Sequence, residues 1–138
     1  MFEGCKSKCD FLIGFLYAHR SQGATQIKVT TDAHHLAFEA VAGQLREDHE
    51  AGLQPFRFDR SIVGHRYWGL DPAIEALQDM SDLSYPVDGK ILHYTLSTDA
   101  AASKLNHAFT LEEVEYLLGL TRLWVAPAPH NSAVAAAL

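Results

Sequence analysis

The stretch "TQIKVTTDAHHLAFEAVAGQLREDHEAG", residues 25–52, decides the fold because its hydrophobic period changes from that of a strand to that of a helix. In "TQIKVTTD", Ile27 and Val29 alternate with polar residues, as they do in a half-buried strand. Asp32 then supplies a capping side chain, and the following apolar residues recur at helical spacing as far as a stop signal at Gly52. The stretch therefore predicts a strand followed directly by a long helix.

The next segments predict a hairpin, a helix and a further strand. The run "FRFDRSIVGHRYW", residues 56–68, has two extended parts joined by a short polar link, which favours an antiparallel hairpin. Asp71 and Pro72 are typical of a helix start and introduce "AIEALQDM". After the turn signal Asp88–Gly89, "KILHYTLS", residues 90–97, resumes the period of a strand, with Leu92, Tyr94 and Leu96 expected inward and His93 and Thr95 outward.

Two more helices are predicted toward the end of the chain. Thr98 or Asp99 can cap a short alanine-rich helix. Thr110 and Glu113 have the spacing of a capping box, so a helix is expected over residues 111–124. The proline-containing segment that follows ends it.

The predicted order is strand, helix, strand, strand, helix, strand, helix, helix. An apolar segment "FLIGFLYA", residues 11–18, precedes them and is compatible with either helix or strand. The first six elements match the βαββαβ series of a ferredoxin-like sandwich. We therefore predict an α+β fold in which an antiparallel sheet of about four strands is covered by helices, with two extra C-terminal helices. One domain is expected over residues 1–138, with 130–138 as a flexible tail.

The composition is that of one soluble globular domain: 138 residues, 48% hydrophobic, 20% charged and a formal net charge of -6. Cys5 and Cys9 are too few for a disulfide framework or a structural zinc site, which predicts reduced thiols. The apolar run at 11–18 is too short to cross a bilayer, and no cleavage signal follows it closely. A cytoplasmic protein without a membrane partner is expected.

No contiguous catalytic or nucleotide-binding motif occurs in the chain. The patterns HExxH, GxSxG, GxxxxGK, CxxC and GxGxxG are all missing. This disfavours enzymes that depend on such signatures, and no cofactor is expected. A small binding or regulatory module is the favoured class.

The segment 56–68 carries three arginines against one aspartate in an otherwise acidic chain. Guanidinium groups bind carboxylate or phosphate at two points, and aromatic rings offer faces for a flat ligand. The sequence therefore predicts recognition of a small anionic ligand or an acidic partner surface. The candidate ligand-binding residues are Arg57, Arg60, His65, Arg66, Tyr67 and Trp68.

Two other interpretations of this segment remain open. The arginines can instead pair with internal carboxylates such as Asp59, Asp71 or Glu47, while the rings pack in the core. Nucleic acid is the other anionic partner to consider, but the net charge of -6 opposes approach to phosphates.

Histidine suggests a competing function. His35 and Glu39 lie one helical turn apart and can offer two positions to a divalent metal, with His65 or His93 as a third ligand. This would make the protein a histidine-based or metal-dependent hydrolase; a simple His–Glu hydrogen bond on a solvated face is the alternative. The acidic cluster "EDHE", residues 47–50, suggests a third function, a protein that occludes another protein.

The C-terminal helix predicts self-association. Its apolar residues form two stripes, one with Val114 and Leu117 and the other with Leu120 and Leu123. If one apolar face packs against the sheet, the other needs a second helix of the same chain or a partner subunit to bury it. This favours a symmetric homodimer through the C-terminal helices.

Overall fold

The computed structural model describes residues 8–28, 31–50, 70–85 and 91–125. These residues form helices and a small sheet, in the order α1 (Lys8–Ser21), β1 (Gln26–Lys28), α2 (Thr31–Glu50), α3 (Leu70–Asp79), β2 (Leu83–Ser84), β3 (Ile91–Tyr94), α4 (Thr98–Ala108) and α5 (Leu111–Val125). The predicted mixture of helix and antiparallel sheet is confirmed.

The three described strands form one antiparallel sheet in the order β1-β3-β2. Ile27 lies opposite Leu92, and Leu83 lies opposite Tyr94. The side chains of Ile27, Leu83 and Leu92 are buried, whereas His93 is exposed. The period-two pattern of "KILHYTLS" therefore correctly predicted which side of β3 faces the core.

The N-terminal apolar segment is a helix, which the sequence had left undecided. Phe11, Leu12, Phe15 and Leu16 of α1 are fully buried. The helix packs against α3, α4 and α5, so it is covered on several sides. An element that is apolar over most of its surface is stable only when it is buried in this way.

Helix α3 ends in a turn that fixes the position of Asp82. The Ser81 N–H donates to the Gln78 carbonyl at 2.9 Å, and the Asp82 N–H donates to the Leu77 carbonyl at 2.9 Å. This is the Schellman arrangement, and it requires a left-handed residue after the helix. Ser81 fills that position with φ 62°, where glycine is the usual residue. The chain then enters β2 directly.

The predicted ferredoxin-like order and the sheet of about four strands are not confirmed. The described sheet has three strands, and β2 was not predicted because two residues are too few to show a hydrophobic period. The hairpin predicted at 56–68 and the flexible tail predicted at 130–138 lie outside the described residues.

The two C-terminal helices begin close to their predicted starts. Helix α4 is capped by Ser97, whose hydroxyl accepts from the Ala100 N–H at 3.1 Å, rather than by Thr98 or Asp99. The capping box of α5 is confirmed. The Thr110 N–H donates to Glu113 Oε1 at 2.9 Å, and the Glu113 N–H donates to Thr110 Oγ1 at 3.2 Å.

Both apolar stripes of α5 are packed within the chain. The helix contacts α1 and α2, and its residues Val114, Leu117 and Leu120 are buried. The apolar faces that suggested a homodimer therefore have partners within the chain. The homodimer through the C-terminal helices stays a prediction, but the two apolar stripes of α5 no longer argue for it. Within the described ranges, no helix is both long enough and apolar enough to span a membrane.

Candidate functional site

The residues predicted to bind an anionic ligand lie between α2 and α3 in the chain, outside the part that the structure describes. They are Arg57, Arg60, His65, Arg66, Tyr67 and Trp68. The helices on either side are anchored in the core through the buried residues Leu45 of α2 and Leu70 of α3. The ligand-binding role of the six residues stays a prediction.

The predicted metal site is not assembled among the described side chains. Glu39 is half-buried on α2 and already engaged within the fold, and His93 is exposed on β3. His35 lies in α2, but its side chain is outside the description, as is all of His65. Among the described residues, no three histidine, cysteine, aspartate or glutamate side chains come together as a metal site.

A groove between α1 and the end of α4 is a concave feature of the described residues. It has a volume of about 270 Å³ and is lined by Asp10, Ile13, Gly14, Tyr17, Ala108 and Phe109. The four α1 residues follow i, i+3, i+4, i+7 spacing, so they share one face of that helix. We call this feature the α1–α4 groove.

A buried polar network lies at the Tyr17 end of the α1–α4 groove. The Tyr17 hydroxyl donates to Asp82 Oδ2 at 2.6 Å, and Lys104 Nζ lies 2.7 Å from the same oxygen. Lys104 Nζ also lies 5.5 Å from the centre of the Tyr17 ring. The network joins α1, the end of α3 and α4, so it fixes three elements relative to one another.

The network has a defined charge pattern. The Asp82 side chain is 8% exposed, whereas that of Lys104 is 44% exposed, so the carboxylate is buried and its counter-ion reaches solvent. Burial, followed by the hydrogen bond to Asp82, raises the pKa of Tyr17 above its ordinary value. At physiological pH the Tyr17 hydroxyl therefore keeps its proton and donates a hydrogen bond to Asp82. A phenol with a raised pKa does not readily give up its proton in acid–base chemistry.

A second buried group, His19, lies among aromatic rings in the last turn of α1. Its ring centre is 4.7 Å from that of Phe15 and 5.4 Å from that of Trp124. Nε2 of His19 is buried and has no hydrogen-bond partner within the described part of the chain. Burial lowers the pKa of His19 to about 3, so the imidazole is neutral at physiological pH.

Arg20, next to His19, has a structural role. Its Nε donates to the Leu96 carbonyl at 2.8 Å, and Nη1 donates to the Ala24 carbonyl at 3.2 Å. These bonds tie the end of α1 to the residues just before β1 and just after β3. The guanidinium is thus occupied by backbone acceptors rather than presented to a ligand.

A third polar contact joins α2 to α5. The Tyr116 hydroxyl donates to Asp48 Oδ2 at 2.5 Å, and Gln44 Nε2 donates to Asp48 Oδ1 at 2.9 Å. Burial, followed by the hydrogen bond to Asp48, raises the pKa of Tyr116. Both oxygens of this carboxylate are therefore satisfied inside the chain.

Sequence reasoning did not single out Tyr17, Asp82 or Lys104. Tyr17 and Asp82 are 65 positions apart, and neither belongs to a recognisable motif. The one local signal is Asp82 itself, an acidic residue that directly precedes a buried strand residue, Leu83.

Comparison with known proteins adds no relationship to this geometry. No protein-family model, no curated protein and no solved structure matches the chain.

Proposed function

We propose that the protein is a small binding or regulatory module that recognises an anionic ligand or an acidic partner surface through residues 57–68. The observation that carries the proposal is local charge: this segment holds three arginines against one aspartate, in a chain with a net charge of -6. A guanidinium binds carboxylate or phosphate in a two-point geometry that few other side chains offer.

The experiment is a titration with adenosine triphosphate, inorganic phosphate and citrate, followed by calorimetry at low ionic strength. We expect the double variant Arg57→Ala/Arg66→Ala to bind the preferred anion at least about tenfold more weakly than wild type. Arg57→Lys/Arg66→Lys keeps the charge but loses the two-point geometry, and it should recover only part of the affinity.

Arg122→Ala is the matched control because Arg122 is exposed on α5, away from the segment in sequence. It should bind like wild type. Equal, weak binding of every anion by wild type and all variants would overturn the proposal. Native mass spectrometry of the same protein, purified without chelator, tests the metal-dependent version of the competing hydrolase hypothesis, because that version requires a retained metal.

A further inference from the structure

The last turn of α5 contacts α1 and α2 through the ring of Trp124. The centre of this ring lies 5.7 Å from that of Phe15 and 5.4 Å from that of His19, both on α1. It lies 6.3 Å from the centre of the Phe38 ring on α2. The Trp124 side chain is half-buried, although it is the second-to-last residue of the helix. The end of α5 therefore covers His19.

The rest of α5 has attachments of its own. The capping box fixes its start. In its middle, the Tyr116 hydroxyl donates to Asp48 of α2, and further on Gln22 Nε2 donates to Thr121 Oγ1. Helix ends are among the parts of a fold that open with the smallest free energy. The turn after Thr121 can therefore move away while the start and the middle of α5 stay in place.

A positive charge on His19 would have no counter-ion among the described residues. Its Nε2 atom is buried and has no hydrogen-bond partner there. Arg20, beside it on α1, and Arg122, in the last turn of α5, are cations themselves. Glu39 of α2 is already engaged within the fold. An imidazolium at this place would be a buried charge without compensation, which is strongly unfavourable.

The charged groups through which α3 and α4 meet α1 lie on the other side of that helix. Asp82 and Lys104 both contact Tyr17. Tyr17 precedes His19 by two positions, which is about half a turn of an α-helix. These two groups therefore point away from the imidazole and do not stabilise its charged form.

From this arrangement we propose that the last turn of α5 is an acid-sensitive switch, in which protonation of His19 releases Trp124 from α1 and α2 while the rest of the fold stays in place. In the open state His19 is in water and takes up a proton near its ordinary pKa of about 6.5. The equilibrium constant for opening then rises about tenfold for each pH unit below that value.

Opening changes the surface of the protein. The rings of Phe15 and Phe38 are fully buried in the closed state, and release of Trp124 uncovers them on one side. The switch goes beyond the proposed function, because it uses none of the residues 57–68 and does not depend on anion binding.

The test is amide hydrogen exchange of isotope-labelled protein at pH 7.5 and pH 5.0, measured for each residue by NMR. After correction for intrinsic exchange rates, the protection of the Leu123 and Trp124 amides should be about thirtyfold lower at pH 5.0. Their exchange should not change with urea up to about 1 M, whereas that of Leu117, in the middle of α5, should accelerate. An equal urea dependence at Leu117 and Trp124 would mean that only global unfolding occurs, and it would overturn the proposal.

Replacement of single histidines identifies the group that triggers opening. His19→Leu and His19→Gln cannot gain a charge, so Trp124 should be protected to nearly the same degree at both pH values. The two replacements differ in shape and polarity, so a folding defect specific to one of them does not decide the result. His107→Gln, at an exposed position of α4, is the control and should keep the full pH effect.

His34→Gln tests a second histidine of the same region. His34 lies one helical turn before Phe38, so by spacing it shares that face of α2. This variant should also keep the full pH effect at Trp124. A pH effect that persists in both His19 variants, or that disappears in His34→Gln, would overturn the proposal.

Discussion

The backbone of Gly14 lies directly against the ring of Phe109. A Cβ atom at position 14 would come within 2.4 Å of Phe109 Cε2 and within 3.3 Å of Leu117 Cδ1. The first distance is far below any ordinary contact, so no side chain fits without movement of the ring. Gly14 thus sets how closely α1 approaches the junction of α4 and α5.

Gly14→Ala should therefore destabilise the protein, although alanine is the better helix former. The helix propensity gain is about 1 kcal/mol, whereas forcing an extra methyl into a packed contact costs about 1 to 3 kcal/mol. We expect a net loss of about 1 kcal/mol in the free energy of unfolding, measured by urea denaturation.

A double-mutant cycle with Phe109→Leu separates the clash from other effects. Leucine shortens the side chain at 109 and makes room at position 14, so Gly14→Ala should cost less in this background than in wild type. A stabilising Gly14→Ala, or strict additivity of the two changes, would contradict the close contact.

The capping box of α5 gives a second prediction. Thr110→Ala removes the acceptor for the Glu113 N–H and should lower the free energy of unfolding by about 1 kcal/mol. Thr110→Ser keeps a hydroxyl at the same place and should retain most of the stability. Equal losses in the two variants, measured by thermal and urea unfolding, would show that the hydroxyl does not act as a cap.

This capping box also shows which features the sequence reveals. Thr110 and Glu113 are three positions apart, and their interaction depends on local geometry alone, so the pattern correctly predicted the start of α5. The alternation of Leu92 and His93 likewise predicted the buried side of β3. Such signals involve residues that are close in sequence, so they can be recognised without knowledge of the tertiary structure.

Long-range contacts leave no comparable pattern. The bond between Tyr17 and Asp82 depends on the packing of α1 against the end of α3, which no spacing encodes. Ser81 is a related case. Its left-handed backbone ends α3, but a serine in the sequence does not indicate a helix end, whereas a glycine at the same position would have done so. The segment 56–68, which carries the predicted ligand residues, is outside the described residues, so its hairpin remains a prediction.

The Tyr17–Asp82–Lys104 network predicts an unequal effect of its members on stability. Tyr17→Phe removes a buried hydrogen bond to a charged acceptor and should cost about 2 kcal/mol. Lys104→Met removes a half-exposed ammonium and keeps the aliphatic stem, so it should cost less than about 1 kcal/mol. Urea denaturation of each variant measures both.

Two comparisons make this result specific. Tyr85→Phe is the matched control, because Tyr85 is exposed, and it should leave stability unchanged. The double variant Tyr17→Phe/Lys104→Met should cost more than the sum of the single changes, since Asp82 then loses both partners and stays buried. A larger loss for Lys104→Met than for Tyr17→Phe would contradict the assigned burial of the network.

His19 predicts a loss of stability in mild acid. Burial holds the pKa of His19 at about 3 in the folded protein, whereas an unfolded histidine titrates near 6.5. Below about pH 6.5 His19 binds a proton in the unfolded chain but stays neutral in the folded protein. The free energy of unfolding therefore decreases by about 1.4 kcal/mol for each unit by which the pH falls. The contribution is fully present above pH 6.5, and about 2 kcal/mol of it is lost at pH 5.

Urea denaturation at pH 7.5 and pH 5.0 tests this assignment. His19→Leu cannot take up a proton in either state, so its stability should change less between the two pH values than that of wild type, by about 2 kcal/mol. His93→Gln serves as the control, since His93 is exposed and its replacement should leave the wild-type difference intact. If His19→Leu loses as much stability in acid as wild type does, another group causes the pH dependence. The assignment of His19 as a neutral, buried imidazole between Phe15 and Trp124 would then be contradicted.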